Sequence, residues 1–168
     1  RALEKCLSPT FRPRRYFREV FAGVGRLTKS FIRCGWEVGD PIEAYPGGIY
    51  QPEQDVLRPE VAGALRSSVL QGWGYWHFGL VCASFSRLNV NLNQGTRTRT
   101  NPSGDGTLSR EVYGNRLVAF TSSLVNLLIK SGGWFSIENP TTSLAWQMPA
   151  LKRIRRSKGV HLVRFCQC

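Results

Sequence analysis

Acidic side chains are scarce in this sequence. Its 168 residues carry 11 Asp and Glu against 23 Lys and Arg, a formal net charge of +12. Such a surface repels itself and attracts polyanions, nucleic acid first among them. A basic surface docked into a large nucleoprotein assembly, or onto an anionic membrane, would have the same composition. Long apolar runs are also missing. None approaches the roughly 18 residues of a membrane span, and no signal-peptide pattern opens the chain, so no membrane partner is expected. A paired cysteine framework is missing too, since the five cysteines, Cys6, Cys34, Cys82, Cys166 and Cys168, are odd in number and scattered. That spacing argues against a disulfide framework and for a reducing, intracellular compartment, nucleus and organelle not being distinguished. No histidine cluster accompanies the Cys166–Cys168 pair, so no metal is expected. Internal repeats and low-complexity tracts are absent. The chain opens without methionine and stops just after an apparent strand, which reads as a fragment of something longer.

What is present has the rhythm of one domain. Residues 1–18 read as a basic arm, with Arg12, Arg14, Arg15 and Arg18 set among Phe11, Tyr16 and Phe17. That mixture suits phosphate and base contact, and equally suits rings packed on the domain. Residues 19–168 alternate strand and helix signals. A strand from Glu19 to Ala22 enters the turn Gly23-Val24-Gly25, and a helix follows to Cys34, stopped by Gly35. A second strand falls within Trp36–Tyr45, a helix spans Pro59–Gln71, and a buried strand covers Tyr75–Val81. Asn89 to Gly106 is polar, and is expected to be a mobile lid that meets phosphates through Arg97 and Arg99, or a disordered insertion. A helix from Ser109 to Ser131 ends at Gly132-Gly133, and a strand, Trp134–Ile137, follows. A basic patch at Lys152–Lys158 precedes a last strand candidate, Val160–Cys168. This order predicts an α/β fold with a doubly wound, mostly parallel sheet.

Chemistry-bearing residues recur where strands end. A glycine turn between strand and helix lets backbone approach a nucleotide-like ligand, or is a tight turn and nothing more. Glu43, at the end of the second strand, is better placed than Asp40 to hold ribose hydroxyls. Asp55 could reach the base edge of the same ligand, or serve a turn. Cys82 leaves a buried strand where open sheets put their ligands; it is a nucleophile or an inert buried thiol. Glu138-Asn139 leaves another strand in the same way.

The order of these signals resembles that of the cytosine-5 DNA methyltransferases, over roughly Glu19 to Pro140. Phe21-Ala22-Gly23-Val24-Gly25 resembles the family's Phe-x-Gly-x-Gly cofactor loop. Cys82-Ala83-Ser84-Phe85-Ser86 looks like its Pro-Cys-x-x-Phe-Ser, and Glu138-Asn139 like its Glu-Asn-Val, with Pro140 marking a divergent branch. The resemblance implies a Rossmann-like methyltransferase fold, truncated at its C-terminal end. It implies S-adenosylmethionine held by Phe21 to Gly25, Glu43 and Asp55. It implies catalysis by Cys82, Glu138 and Asn139 on a cytosine turned out of the base stack. Ser84, Arg87, Arg97, Arg99, Lys152, Arg153, Arg155 and Arg156 are the expected nucleic-acid contacts, with DNA preferred to RNA. Val81 stands where the family has proline, and is expected to leave the backbone free to continue as a strand, so that Cys82 either points into the core or samples several orientations and activity is weak or lost. The family's Gln-x-Arg-x-Arg strand, recognition region and closing helix are not in this sequence. The competing readings are an RNA cytosine methyltransferase and a catalytically inactive basic scaffold of the same fold in a nucleoprotein assembly.

Overall fold

Strand side chains alternate between two faces, and the runs Tyr16–Val20 and Tyr75–Gly79 have an apolar or aromatic residue available for each. They form β1 and β3, the two central strands of the sheet. The structure is a computed structural model describing residues 15–72 and 74–165, the side chain of Asn89 excepted. The remaining elements are α1 (Arg26–Arg33), β2 (Glu37–Val38), α2 (Pro59–Gln71), α3 (Arg87–Leu92), α4 (Ser109–Ser131), β4 (Trp134–Glu138) and α5 (Pro149–Arg155). The sheet order is β2-β1-β3-β4 and every pairing is parallel. The chain therefore winds outward from β1 to β2, then reverses across β1 to build β3 and β4.

The reversal divides the helices between faces. Helix α1 packs beside β1 and β2, while α2 and α4 pack together on the other side. Val20, Trp76 and Phe78 are fully buried, in one core with Leu65, Val69, Leu117, Leu124 and Leu128. Burying each such side chain contributes about 1.5–3 kcal/mol before entropy is counted. On the α1 side Phe17 stacks on Phe31 at 3.8 Å, and Tyr75 leans on both rings. That side thins out towards β4, where Trp134 is 60% exposed.

Three boundaries differ from the sequence reading. Strand β1 begins at Tyr16, so Tyr16, Phe17 and Arg18 belong to the sheet and not to an arm; burial of the Phe17 ring decides it. Residues 1–14 lie outside the described residues. Strand β2 is only two residues long, and a single bridge from Val20 to Ile42 resumes the pairing. Pro41 stands between them and has no N–H to give a ladder. Residues 160–165 join no ladder, so among the described residues β4 is the sheet edge. Cys166 to Cys168 lie outside them.

A polar row crosses the sheet. His77 stands in register with Glu19 on β1 and Ser136 on β4. Its Nδ1 is 2.7 Å from Ser136 Oγ, which is 2.8 Å from the Tyr75 hydroxyl. Burial pushes the imidazole below its usual 6.5, with Glu19 and Glu138 opposing. The unfolded chain then binds the proton more readily than the folded one, so His77 takes away stability as pH falls below 6.5. The contribution is at most about 1.4 kcal/mol per pH unit. Urea unfolding through this range should show a shallower slope in His77→Gln than in the wild type. Identical slopes would refute the assignment.

Candidate functional site

In an all-parallel sheet every strand exit lies on one edge, and the crevice opens where the winding reverses. Here that point is between β1 and β3, so the turns after Val20 and after Gly79 face each other. Gly79 marks how close they come: a Cβ there would stand 2.8 Å from the Phe21 carbonyl oxygen. The turn after β1 is tight. Phe21, Gly23 and Gly25 all have positive φ, at 59°, 54° and 64°. Glycine adopts this freely, whereas at Phe21 it costs about 1–3 kcal/mol.

Two carboxylates hold that turn. Buried Glu19 accepts from the Thr28 backbone N–H at 2.7 Å and from its hydroxyl at 2.5 Å. Helix α1 has no acidic residue in its own first turn, so Glu19 caps it from the strand. Glu43 accepts from the Gly23 N–H at 2.9 Å and from the Tyr45 N–H at 3.0 Å. Each of its oxygens keeps a second acceptor position. Asp55 serves the turn into α2, taking the Leu57 N–H and the Tyr50 hydroxyl, both at 2.9 Å. That bond raises the Tyr50 phenol pKa. Burial, helped by Asp55, Tyr45, Tyr50 and Glu43, pushes neighbouring Tyr113 up to about 12. The sequence reading singled out neither Glu19 nor these three tyrosines. A carboxylate just before the glycine turn was the available signal for Glu19.

Strand β3 ends at Gly79, two residues earlier than expected. Cys82 opens a 3-10 turn, Ala83–Phe85, and its carbonyl accepts the Phe85 N–H at 2.9 Å. Phe85 is fully buried and pins the turn. The strand does not continue through Val81, which is 41% exposed, and Cys82 is half-buried at the surface, not turned into the core. On the neighbouring strand Glu138 stands opposite Gly79. Asn139 is buried, donates through Nδ2 to the Leu80 carbonyl at 2.6 Å, and leaves its Oδ1 without a partner. Glu138 also lines a groove of about 1050 Å³ along β4, with Trp146, His161 and Arg155. The edge thus gathers Gly23, Glu43, Cys82 and Glu138.

Arg97 is a correction. The expected phosphate contact is only 2% exposed. Its guanidinium donates to the Pro102 carbonyl, to Asn115 Oδ1 at 2.8 Å, to the Glu111 carbonyl at 2.8 Å and to Ser84 Oγ at 3.2 Å. It lies 3.7 Å above the Phe85 ring, and its Nε is 4.0 Å from the buried Glu111 carboxylate. Burial pushes its pKa down to about 10, against the pull of Glu111, which leaves it charged at neutral pH. Ser84 is drawn into the same network. The segment Asn89–Gly106 is accordingly no structureless lid. It starts within α3, and Glu111 holds its Thr96 through the N–H at 2.9 Å and the hydroxyl at 2.5 Å. Arg99, Lys152, Arg153 and Arg156 do come together, around one cavity, while Arg155 faces the β4 groove and Arg87 is exposed at the start of α3. Among the described residues no group of three or more His, Cys, Asp or Glu could hold a metal ion.

These features define an α/β protein whose four-stranded, all-parallel sheet is compatible with a Rossmann-like fold. No described helix is long and apolar enough to cross a membrane. Comparison with protein-family models, with curated proteins and with solved structures finds no match.

Removing one partner of a buried pair strands the other, at a cost of about 3–5 kcal/mol. Arg97→Met should lose that much in chemical denaturation. Arg97→Met/Glu111→Gln should be more stable than the single variant, because the glutamine amide oxygen can still accept from Thr96. Strictly additive losses would show that the pair is not coupled.

Proposed function

We propose that this chain is a cytosine-5 methyltransferase-like domain that uses S-adenosylmethionine and acts on nucleic acid, DNA in preference to RNA. One observation carries the reading. The glycine turn, Glu43, Cys82 and Glu138 come from four separate stretches and share the sheet edge at the winding reversal.

The residues around the glycine turn fit the cofactor. A dinucleotide fold seats a pyrophosphate on the helix N-terminus after its first strand. Here the carboxylate of Glu19 already takes the Thr28 N–H at the start of α1. That favours a ligand with no phosphate and with positive charge. A Cβ added at Gly23 would meet nothing within 4 Å, so the turn is open above the backbone. The spare acceptor positions of Glu43 suit ribose hydroxyls, and Tyr45, Tyr50 and Asp55 suit the rim of an adenine site.

S-adenosylmethionine, when bound, supplies the methyl group. The chain's own part is to prepare the base. Cytosine C5 is a poor nucleophile, and addition of the Cys82 thiolate to C6 makes it enamine-like. Glu138 holds the N3 and exocyclic amine edge and steadies the charge that builds there. Asn139 fixes the backbone two residues ahead of Cys82 through the Leu80 carbonyl. Once C5 is methylated it loses its proton to solvent. The S–C6 bond then breaks and the thiolate is restored.

A duplex carrying 5-fluorocytosine cannot lose that proton and traps the adduct. With S-adenosylmethionine present, Cys82→Ser should abolish a covalent adduct, and Val81→Pro should change it little, because Asn139, Phe85 and Arg97 already hold the Cys82 turn. Calorimetry should show cofactor binding weakened by about 1–3 kcal/mol in Glu43→Ala. Absence of cofactor binding by the folded wild type, or an adduct that survives Cys82→Ser, would overturn the reading. The residue at position 81 favours one second reading, an inactive basic scaffold of the same fold. Salt-dependent nucleic-acid binding, with no adduct even in Val81→Pro, would establish it.

A further inference from the structure

The geometry points to a second site, away from the sheet edge, that takes a backbone phosphate of the nucleic acid. Its link to Cys82 rests on the methyltransferase reading; its existence does not. A cavity of about 340 Å³ lies between the segment around Arg99 and helix α5. Arg99, Lys152, Arg153 and Arg156 line it, Thr100 and Gln147 add neutral donors, and no carboxylate is among its lining residues. Four like charges around so small a space repel one another, and an anion between them reverses the sign of every pairing. Guanidinium forks match phosphate oxygens in pairs.

Both walls are built. Leu151 and Ile154 bury the inner face of α5, which leaves the basic residues on its outside. The opposite wall is a turn closed by its own bonds. The Thr98 N–H reaches the Asn101 carbonyl at 3.0 Å, the Asn101 N–H reaches Thr98 Oγ1 at 2.8 Å, and Asn101 Nδ2 reaches the Gly104 carbonyl at 2.9 Å. Asn115 on α4 donates to the Ser103 carbonyl at 2.8 Å. Arg99 therefore meets α5 from a braced turn. The same helix carries Arg155 to the β4 groove, which Lys158 and Glu138 also line. Positive charge on both sides of α5 suits a polymer of phosphates better than a single ion.

The site is also tied to the thiol. Arg97, two residues before Arg99, bonds Ser84, two residues after Cys82, and grips Pro102 in the same turn. A phosphate held by Arg99 thus has a fixed relation to the Cys82 turn. In the proposed reaction it sets which nucleotide along the strand reaches the sheet edge.

The test uses a fluorescent 20-mer duplex, its single strand, and inorganic phosphate as the free-ion probe, with the full chain. Arg99→Ala/Arg156→Ala should weaken oligonucleotide binding by about tenfold or more, and should flatten the slope of log affinity against log salt by about one. Lys152→Gln/Arg153→Gln should do the same. Arg33→Ala/Arg66→Ala removes the same charge from exposed positions on α1 and α2, and should change affinity by less than about threefold. Equal losses in all three variants would overturn the site, as would failure of the wild type to bind either oligonucleotide. Calorimetric uptake of inorganic phosphate, with oligonucleotide affinity untouched in the variants, would overturn it in favour of a free-anion pocket. The 5-fluorocytosine adduct is scored separately. Loss of binding in the cavity variants, from a wild type that forms no adduct, keeps the phosphate site and removes the methyltransferase reading.

Discussion

A guanidinium taken out of water must be surrounded by acceptors, and the region from Ser84 to Asn115 is arranged to meet that demand for Arg97. Two backbone carbonyls, one amide and one hydroxyl supply them, with a carboxylate 4.0 Å from Nε and a ring beneath the plane. A buried pair of this kind is weak evidence of stability, since desolvation cancels much of the attraction. Its effect is on arrangement. The acceptors come from the Cys82 turn, the following segment and α4, so one side chain fixes three pieces of chain together. Gly114 shows the same constraint from the helix side. A glycine inside α4 costs roughly 1 kcal/mol of helix propensity. Yet a Cβ there would stand 2.5 Å from Ser84 Oγ and 3.1 Å from both Arg97 and Phe85. The cost is offset by the room it leaves for the strut.

The second constraint is the direction of winding. Four parallel strands bring four exits to one edge whatever their sequences, and reversal between β1 and β3 sets the turns that follow them facing each other. Local chemistry then decides what those turns can hold. Glu19 fills the start of α1, Glu43 ties the glycine turn to the exit of the second strand, and Gly79 permits the close approach of backbones. None of the three works without the sheet, because their partners lie 9 to 20 residues away or on another strand.

Where signals are local, the sequence was legible. Pro59 at the first turn and Gly72 beyond the last residue delimit α2, and Gly132 in a left-handed conformation ends α4 at Ser131, as expected. The gathering of Gly23, Glu43, Cys82 and Glu138 on one edge followed from the strand order alone. Arg97 was not legible. In a polar segment a buried guanidinium and a solvated one have the same sequence, and its carboxylate partner is 14 residues on, inside a helix. The arginines around Tyr16 and Phe17 suit a nucleic-acid arm and rings packed on the domain equally well, and composition alone does not choose between them. Stacking of Phe17 on Phe31 makes the choice. Of the eight expected nucleic-acid contacts, the structure withdraws Arg97, draws Ser84 towards it, and concentrates Arg99, Lys152, Arg153 and Arg156 in one place.

The turn that carries Cys82 is therefore held in a different way from one formed by a proline. Proline acts locally, by fixing its own φ and restricting the residue before it. At Val81 that restriction is absent, and valine contributes only stiffness at χ1. The fixing comes from partners distant in sequence. Asn139 takes the Leu80 carbonyl, Phe85 closes the 3-10 turn on the Cys82 carbonyl and sinks into the core, and Arg97 holds Ser84. These three points bracket Cys82 and leave Val81 at the surface between them. A thiol so placed depends for its aim on β4, α4 and the Arg97 strut together. Its geometry is thereby coupled to the basic wall that starts two residues beyond Arg97.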